Sequence, residues 1–200
     1  MFTGIVETIG YIQKIESEGR NRHITVRSSL SDELQIDQSV SHDGVCLTVV
    51  GLAPQHHTVT AIAETLDRTR LGDWREGQPI NLERAMRADA RLDGHLVQGH
   101  VDGLGECIGV EEAAGSWYYR FRYRPSPEHL LVDKGSICIN GVSLTVVEPI
   151  DDTFSVAIIP YTYEHTNFRQ LGVGQRVNLE FDIIGKYIGR YLAAYGVGNG

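Results

Sequence analysis

The chain is short of cysteine, of basic charge and of long apolar runs, and each shortage removes a class of protein. Its three cysteines, Cys46, Cys107 and Cys138, are odd in number, far apart and without any C-x-x-C spacing. That argues against a disulfide framework or a zinc knuckle and points to a cytoplasmic protein with reduced thiols. Lysine and arginine number 18 against 26 aspartates and glutamates, for a net charge of −8. Phosphate binding needs a basic face, so nucleic acid is not an expected partner. The one local basic stripe, Arg120, Arg122 and Arg124, alternates with Tyr119, Phe121 and Tyr123. It reads as the wet side of a half-buried strand. No apolar run approaches the ~18 residues of a membrane span. The opening Met1–Val6 has no basic segment followed by a long apolar one, and so does not read as a secretory signal. There is no G-x-x-x-x-G-K-S/T, no strand–G-x-G-x-x-G–helix unit, and Gly141-Val142-Ser143-Leu144-Thr145 lacks the last glycine of a nucleophile elbow.

What is present is a duplication. Val45–Val50 reads VCLTVV after Asp43-Gly44, and Val142–Val147 reads VSLTVV after Asn140-Gly141, a shift of 97. The same shift carries Asn81-Leu82-Glu83 onto Asn178-Leu179-Glu180, Thr65 onto Thr162, Thr69 onto Thr166 and Gly77 onto Gly174. Near the start, Gly4-Ile5-Val6-Glu7 resembles Gly99-His100-Val101-Asp102 at a shift of 95, so a short loop indel separates the two blocks. The 200 residues therefore divide into tandem halves, 1–92 and 93–183, with 87–93 as a polar linker and 184–200 as an unpaired tail.

Strand signals dominate both halves. Val45–Val50, His57–Ala63, Ile80–Glu83, Ile137–Asn140, Val142–Val147, Phe154–Ile159 and Val177–Phe181 are short and rich in β-branched residues. Asp43-Gly44 and Asn140-Gly141 are hairpin turns. About six strands per half predict an all-β chain of two small closed barrels. Ser126-Pro127-Glu128 carries a helix-start signal, predicting a short helix through Val132. Thr65–Leu71 and Thr162–Phe168 predict a turn or two of helix each. Ile184, Tyr187, Ile188, Tyr191, Leu192 and Tyr195 fall at helical spacing and predict a C-terminal helix ended by Gly196.

Chemistry is legible only by comparing the copies. Cys46 aligns with Ser143, and His100 with Ile5, while Thr48 and Thr65 align with Thr145 and Thr162. The scaffold has kept its hydroxyls and diverged at a thiol and an imidazole. Cys46 reads either as a small core residue or as a reactive group, and His100 either as a satisfied rim histidine or as an acid–base group. His95 and His100 are five apart, which on a straight strand places them on opposite faces and disfavours a shared metal. Adjacent His56 and His57 read as part of a turn.

Taken together, Met1–Glu7, Asp43–Val49, Asn81–Arg84, Gly94–Asp102, Asn140–Thr145 and Ile184–Tyr187 resemble the riboflavin synthase family, alpha-chain type, in order and along the whole chain. The resemblance implies two six-stranded Greek-key barrels and a C-terminal helix that helps to hold a homotrimer. It implies dismutation of two molecules of 6,7-dimethyl-8-ribityllumazine, with no cofactor and no metal, at sites between neighbouring subunits. Lumazine synthase is a candidate partner. The family's binding segments fall here, for the N-terminal barrel, on Gly4, Ile5 and Val6, on Cys46, Leu47 and Thr48, and on Thr60, Ala61, Ile62, Ala63, Glu64 and Thr65. For the C-terminal barrel they fall on Gly99, His100 and Val101, on Lys134, on Ser143, Leu144 and Thr145, and on Ile158, Ile159, Pro160, Tyr161, Thr162 and Tyr163. Cys46 and His100 are the polar groups expected nearest the chemistry, with Ser39, Ser143 and Asp182 as further candidates. Val45 stands where some relatives have a second cysteine, so that thiol is not essential here. The stretch Ile159–His165 is bulkier than in some relatives. Two other classes share such barrels. A non-catalytic lumazine carrier is disfavoured because both Cys46 and His100 are present. A flavin reductase needs a nicotinamide domain for which the chain has no room.

Overall fold

The computed structural model describes residues 1–196. The described strands close into two barrels of six. The first contains β1 (Thr8–Glu18), β2 (Asn21–Arg27), β3 (Ser39–His42), β4 (Val45–Ala53), β5 (His56–Ala61) and β6 (Pro79–Arg84). The second contains β7 (Gly103–Ala113), β8 (Ser116–Tyr123), β9 (Ser136–Ile139), β10 (Val142–Ile150), β11 (Thr153–Ile158) and β12 (Arg176–Phe181). The order around the first is β1-β2-β5-β4-β3-β6, and the second repeats it as β7-β8-β11-β10-β9-β12, every pairing antiparallel. In each copy the chain leaves its second strand, passes over two others and enters its third, a Greek-key crossing. Closure leaves no free edge for another chain to pair with.

Alternation along the strands fills each barrel. Ile24, Val26, Val40, Val49, Val59 and Leu82 lie in the first core. Tyr119, Phe121, Phe154, Phe168 and Phe181 make the second core more aromatic. One difference is polar. His42 and His57 are fully buried in the first barrel, at the positions where the second has Ile139 and Phe154. The imidazoles meet Nε2 to Nε2 at 2.8 Å. His42 Nδ1 lies 3.0 Å from the Val40 carbonyl and His57 Nδ1 lies 2.8 Å from the Ser31 hydroxyl. This chain closes when both rings are neutral: Ser31 donates to His57, His57 to His42, and His42 to Val40.

The barrels meet turn to turn. Asp43-Gly44 and Asn140-Gly141 are two-residue loops with positive φ at all four residues. A Cβ on Gly44 would lie 2.8 Å from the Gly141 nitrogen, so neither turn tolerates a larger residue. The asparagines of the repeated Asn-Leu-Glu motif lock the contact. Asn81 Nδ2 donates to the Asn140 carbonyl and Asn178 Nδ2 to the Asp43 carbonyl, each at 2.8 Å.

After β5 and β11 come α1 (Ala63–Arg68) and α2 (Pro160–His165), each followed by a 3-10 turn. The expected strands through Ala63 and Ile159 are thus too long: β5 ends at Ala61 and β11 at Ile158. His56 and His57 begin β5 rather than a turn, because His57 has buried partners to meet. The expected helix from Ser126 to Val132 does not form. Ser126 does accept from the Glu128 N–H at 3.3 Å, but only one turn follows. His129 leaves it to stack on Phe181, with ring centroids 4.4 Å apart, and Leu131 packs on the second core. Tertiary packing overrides the local signal.

The C-terminal helix α3 spans Ile183–Tyr195, with the Asp182 carboxylate accepting from the Ile184 N–H at 2.9 Å. Its apolar stripe is uncovered: Ile184, Tyr187, Ile188, Tyr191, Leu192 and Tyr195 are all exposed. The expected tail, residues 197–200, lies outside the described residues. No described helix is long and apolar enough to cross a membrane.

Candidate active site

On β4 the side chains of Val45, Leu47 and Val49 point into the first core, which turns Cys46 and Thr48 outward. On β10 the same alternation turns Ser143 and Thr145 outward. A second layer lies against each of these strands, and here the structure corrects the expected grouping. Gly4–Val6 does not join the barrel that follows it. The Ser143 N–H donates to the Gly4 carbonyl at 2.8 Å, and Val6 packs on the second core. Gly99–Val101 makes the reciprocal crossing. The Cys46 N–H donates to the Gly99 carbonyl at 2.8 Å, and Val101 packs on the first core. The two segments are exchanged between the barrels. The reason is the bridge at the centre, where Phe2 and Val97 pair antiparallel, with bonds of 2.7 and 3.1 Å, and bury their side chains against Cys138 and Cys46. Strands that begin at this bridge lead away from it in opposite directions, so each segment crosses the other copy's rim on its way to its own barrel. Only glycine allows the approach. A Cβ at Gly4 would lie 2.6 Å from the Ser143 Cβ, and one at Gly99 would lie 2.5 Å from the Cys46 Cβ.

The exchange brings Cys46, Thr48 and the exposed His100 onto the first rim, and Ile5, Ser143 and Thr145 onto the second. Both polar novelties of the duplication therefore stand on one barrel. Cys46 is half-buried, not a core residue. Ser39 pairs with Thr48 in the β3–β4 ladder and shares a cleft of about 700 Å3 with Ile5, Glu83 and Arg84. Thr60 points outward and lies 2.9 Å from His23 Nδ1. Leu47, Ala61 and Ile158 are core-facing and form the walls behind the rims. Ile62, Glu64, Ile159, Pro160 and Tyr161 are exposed where α1 and α2 begin, with Ala63, Thr65 and Thr162 partly covered beside them. Tyr163 stacks on Trp117 at 3.8 Å between ring centroids. Lys134 is exposed at φ +65°, matching its counterpart Asp37 at φ +69°.

The second rim holds a pair that spacing alone did not reveal. His95 is buried, and its Nδ1 lies 2.7 Å from the Ser143 hydroxyl. Burial pushes the His95 imidazole below its ordinary pKa, while the Asp182 carboxylate pulls the other way. The Ser143 hydroxyl and the His95 imidazole thus form a bonded pair on this rim, within the electrostatic reach of Asp182. The spacing of His95 and His100 spoke only against a shared metal and gave His95 no role, although the repeated Gly-His of Gly94-His95 and Gly99-His100 was an available signal. The described residues hold no cluster of three or more His, Cys, Asp or Glu side chains able to bind a metal.

Two outward strands, each crossed by a glycine segment from the other copy, have counterparts among known proteins. The lumazine binding domain model matches twice, over residues 3–85 and 98–182. Riboflavin synthase of Actinobacillus pleuropneumoniae is 42% identical over 96% of this chain and 90% of its own length. That of Bacillus subtilis is 40% identical over the same shares, and that of Mycobacterium bovis is 39% identical over 98% of this chain and all of its own. The chain belongs to the riboflavin synthase family. Among solved structures, LumP complexed with 6,7-dimethyl-8-(1'-D-ribityl) lumazine matches with a TM-score of 0.82 at 22% identity, over 90% of this chain and 98% of that one. LumP complexed with riboflavin matches with a TM-score of 0.84 at 21% identity, over 90% of this chain and 99% of that one. At that identity the likeness to LumP is one of fold.

Proposed function

We propose that the chain is a riboflavin synthase, which dismutates two molecules of 6,7-dimethyl-8-ribityllumazine. A four-carbon unit passes from one to the other, giving riboflavin and 5-amino-6-(ribitylamino)uracil. The observation that carries this reading is kinship along nearly the whole chain with riboflavin synthases from three genera, with a lumazine binding domain matched in each half. One rim binds each lumazine, the outward threonines and the backbone of the crossing glycine segments meeting the ribityl hydroxyls and the pyrimidine edge. One lumazine loses a proton from its 7-methyl group to a base, and the other accepts a nucleophile or an activated water. Cys46 and His100 on the first rim serve this chemistry, with Ser39 beside them. Ser143 and Asp182 serve on the second. Holding two substrates in reacting geometry supplies much of the rate.

The halves 1–92 and 93–183 are the two lumazine-binding units in this reading, and 184–200 the assembly segment. Both rims are open on the single chain, and a neighbouring subunit closes them. The bare stripe Ile184–Ile188–Leu192 on α3 supports a homotrimer. Three free thiols support a cytoplasmic setting. Purified protein given only 6,7-dimethyl-8-ribityllumazine is expected to release riboflavin fluorescence without added cofactor. Tight binding with no turnover would overturn the enzyme reading in favour of a carrier. Light scattering is expected to give a trimer, and a monomer after deletion from Ile184 onward.

A further inference from the structure

The Asn-Leu-Glu repeat has a second half with its own task. Glu83 on β6 and Glu180 on β12 are buried carboxylates, 5% and 3% exposed. Glu180 accepts from the backbone N–H groups of Gln98 at 2.6 Å, Gly99 at 2.9 Å and His100 at 3.0 Å. Glu83 accepts from the N–H groups of Thr3 at 2.6 Å and Gly4 at 3.0 Å, and from the Thr3 hydroxyl at 2.8 Å. Residues 98–100 belong to no strand, so the carboxylate takes the place of a ladder. Beyond it, the Gly99 carbonyl reaches across to the Cys46 N–H. A single side chain of the second barrel therefore sets the position of a loop on the first. The loop's far end is tied as well: Asp102 accepts from the Phe181 N–H at 2.8 Å and pairs with Lys186 of α3 at 2.6 Å.

Burying a carboxylate is costly unless it is well bonded, and packing alone would favour an apolar residue here. Burial lifts the Glu180 pKa to about 7, and the backbone N–H groups of Gln98 and Gly99, with Lys186, pull it back toward the anion. Two acceptor oxygens can meet three converging donors, and an amide cannot. A glutamine would offer one acceptor oxygen and turn its own N–H groups toward donors.

We propose that Glu180 is a positioning residue for the reaction, holding His100 over the Cys46 rim through the backbone of Gln98–His100, and that Glu83 does the same for Ile5 on the Ser143 rim. The part concerning turnover rests on the reading of His100 given above. Loosening the loop misplaces a reacting group without removing it.

The test is a double-mutant cycle with amide hydrogen exchange. Glu180→Gln is expected to lower kcat by ~10- to 100-fold with KM little changed, the scale of an ångström-sized misplacement. In a His100→Ala background the same substitution is expected to change kcat by less than about 2-fold, because the group being positioned is gone. Equal losses in both backgrounds would mean a merely structural role and overturn the proposal. Exchange tests the positioning by itself. Glu180→Gln is expected to expose the amides of Gln98, Gly99, His100 and Cys46, and Glu83→Gln those of Thr3, Gly4 and Ser143. Amides at 98–100 that stay protected in Glu180→Gln would sink the positioning claim. Wild-type turnover in His100→Ala would instead overturn the reading of His100, and with it the effect on turnover, while exchange still decides the loop's anchor. Should Glu180→Gln fail to fold, Glu180→Asp, which keeps the charge and shortens its reach to the Gln98–His100 amides, carries the same cycle against His100→Ala.

Discussion

The buried imidazole pair makes the first barrel acid-labile, and the effect can be sized. Burial, reinforced by the nearby His56, lowers the pKa of His57 from 6.5 to about 4. His42 is lowered well below its ordinary value, by burial first and then by His57, against the bond to the Val40 carbonyl. The unfolded chain therefore binds these protons first. The stabilisation from the neutral pair is complete above pH 6.5 and is lost as pH falls toward about 4. Two and a half units at 1.36 kcal/mol each give about 3 kcal/mol from His57 alone, of which about 2 kcal/mol is gone by pH 5. Asp43, in the same barrel, works against this. Burial raises its pKa to about 6, opposed by Arg70, so acidification favours its folded state. Replacing the pair by its counterparts in the second copy, His42→Ile with His57→Phe, leaves Asp43 in place and isolates the imidazoles. The assay is urea unfolding at pH 7.5 and pH 5, followed by the fluorescence of Trp74 in the first core with Trp117 replaced by Phe. The parent is expected to lose at least about 2 kcal/mol more than the double variant between these pH values, the share of His57 alone, with His42 adding to it. Equal losses would refute the argument that the pair is held neutral by the fold.

Other outcomes follow from the turns and the rims. Gly44→Ala is expected to destabilise by about 2 kcal/mol or more, combining a positive φ with the clash against Gly141, whereas Gly77→Ala, with φ +83° and open space, carries only the backbone penalty of about 1 kcal/mol. Equal losses in urea unfolding would mean the two turns do not press on each other. Cys46→Ser puts the second copy's residue on the first rim; stability is expected to hold within about 0.5 kcal/mol while riboflavin release falls by at least ~10-fold. Full turnover in that variant would remove the thiol from the chemistry. Asp182→Ala deletes the N-cap of α3 and is expected to cost about 1 kcal/mol, read as a lower thermal midpoint.

Much of the architecture was legible because it repeats. The shift of 97 aligns β4 with β10 and β6 with β12, and the hairpin turns end their strands where Asp43-Gly44 and Asn140-Gly141 stand. The rim residues Cys46, Thr48, Ser143 and Thr145 were legible for the same reason, with alternation setting their direction. What stayed hidden is tertiary. Nothing local in Met1–Val6 tells which barrel it crosses, since that depends on a single bridge to Val97. Glu83 and Glu180 look like ordinary polar strand residues until their backbone donors are seen, and the histidine pair spans β3 and β5. Ser126 shows the converse: its local signal is intact and loses to the stacking of His129 on Phe181.

The exchanged crossing wires the two rims in series. Each rim is assembled from a strand of one barrel and a segment anchored in the other, so a fault in either half reaches both. If acid loosens the first barrel, Glu83 releases Thr3 and Gly4, and Gly4 leaves Ser143 on a barrel that contains no such histidine pair. A partly unfolded chain is then left with no working rim, and inactivation tracks the weaker barrel while the stronger one remains folded.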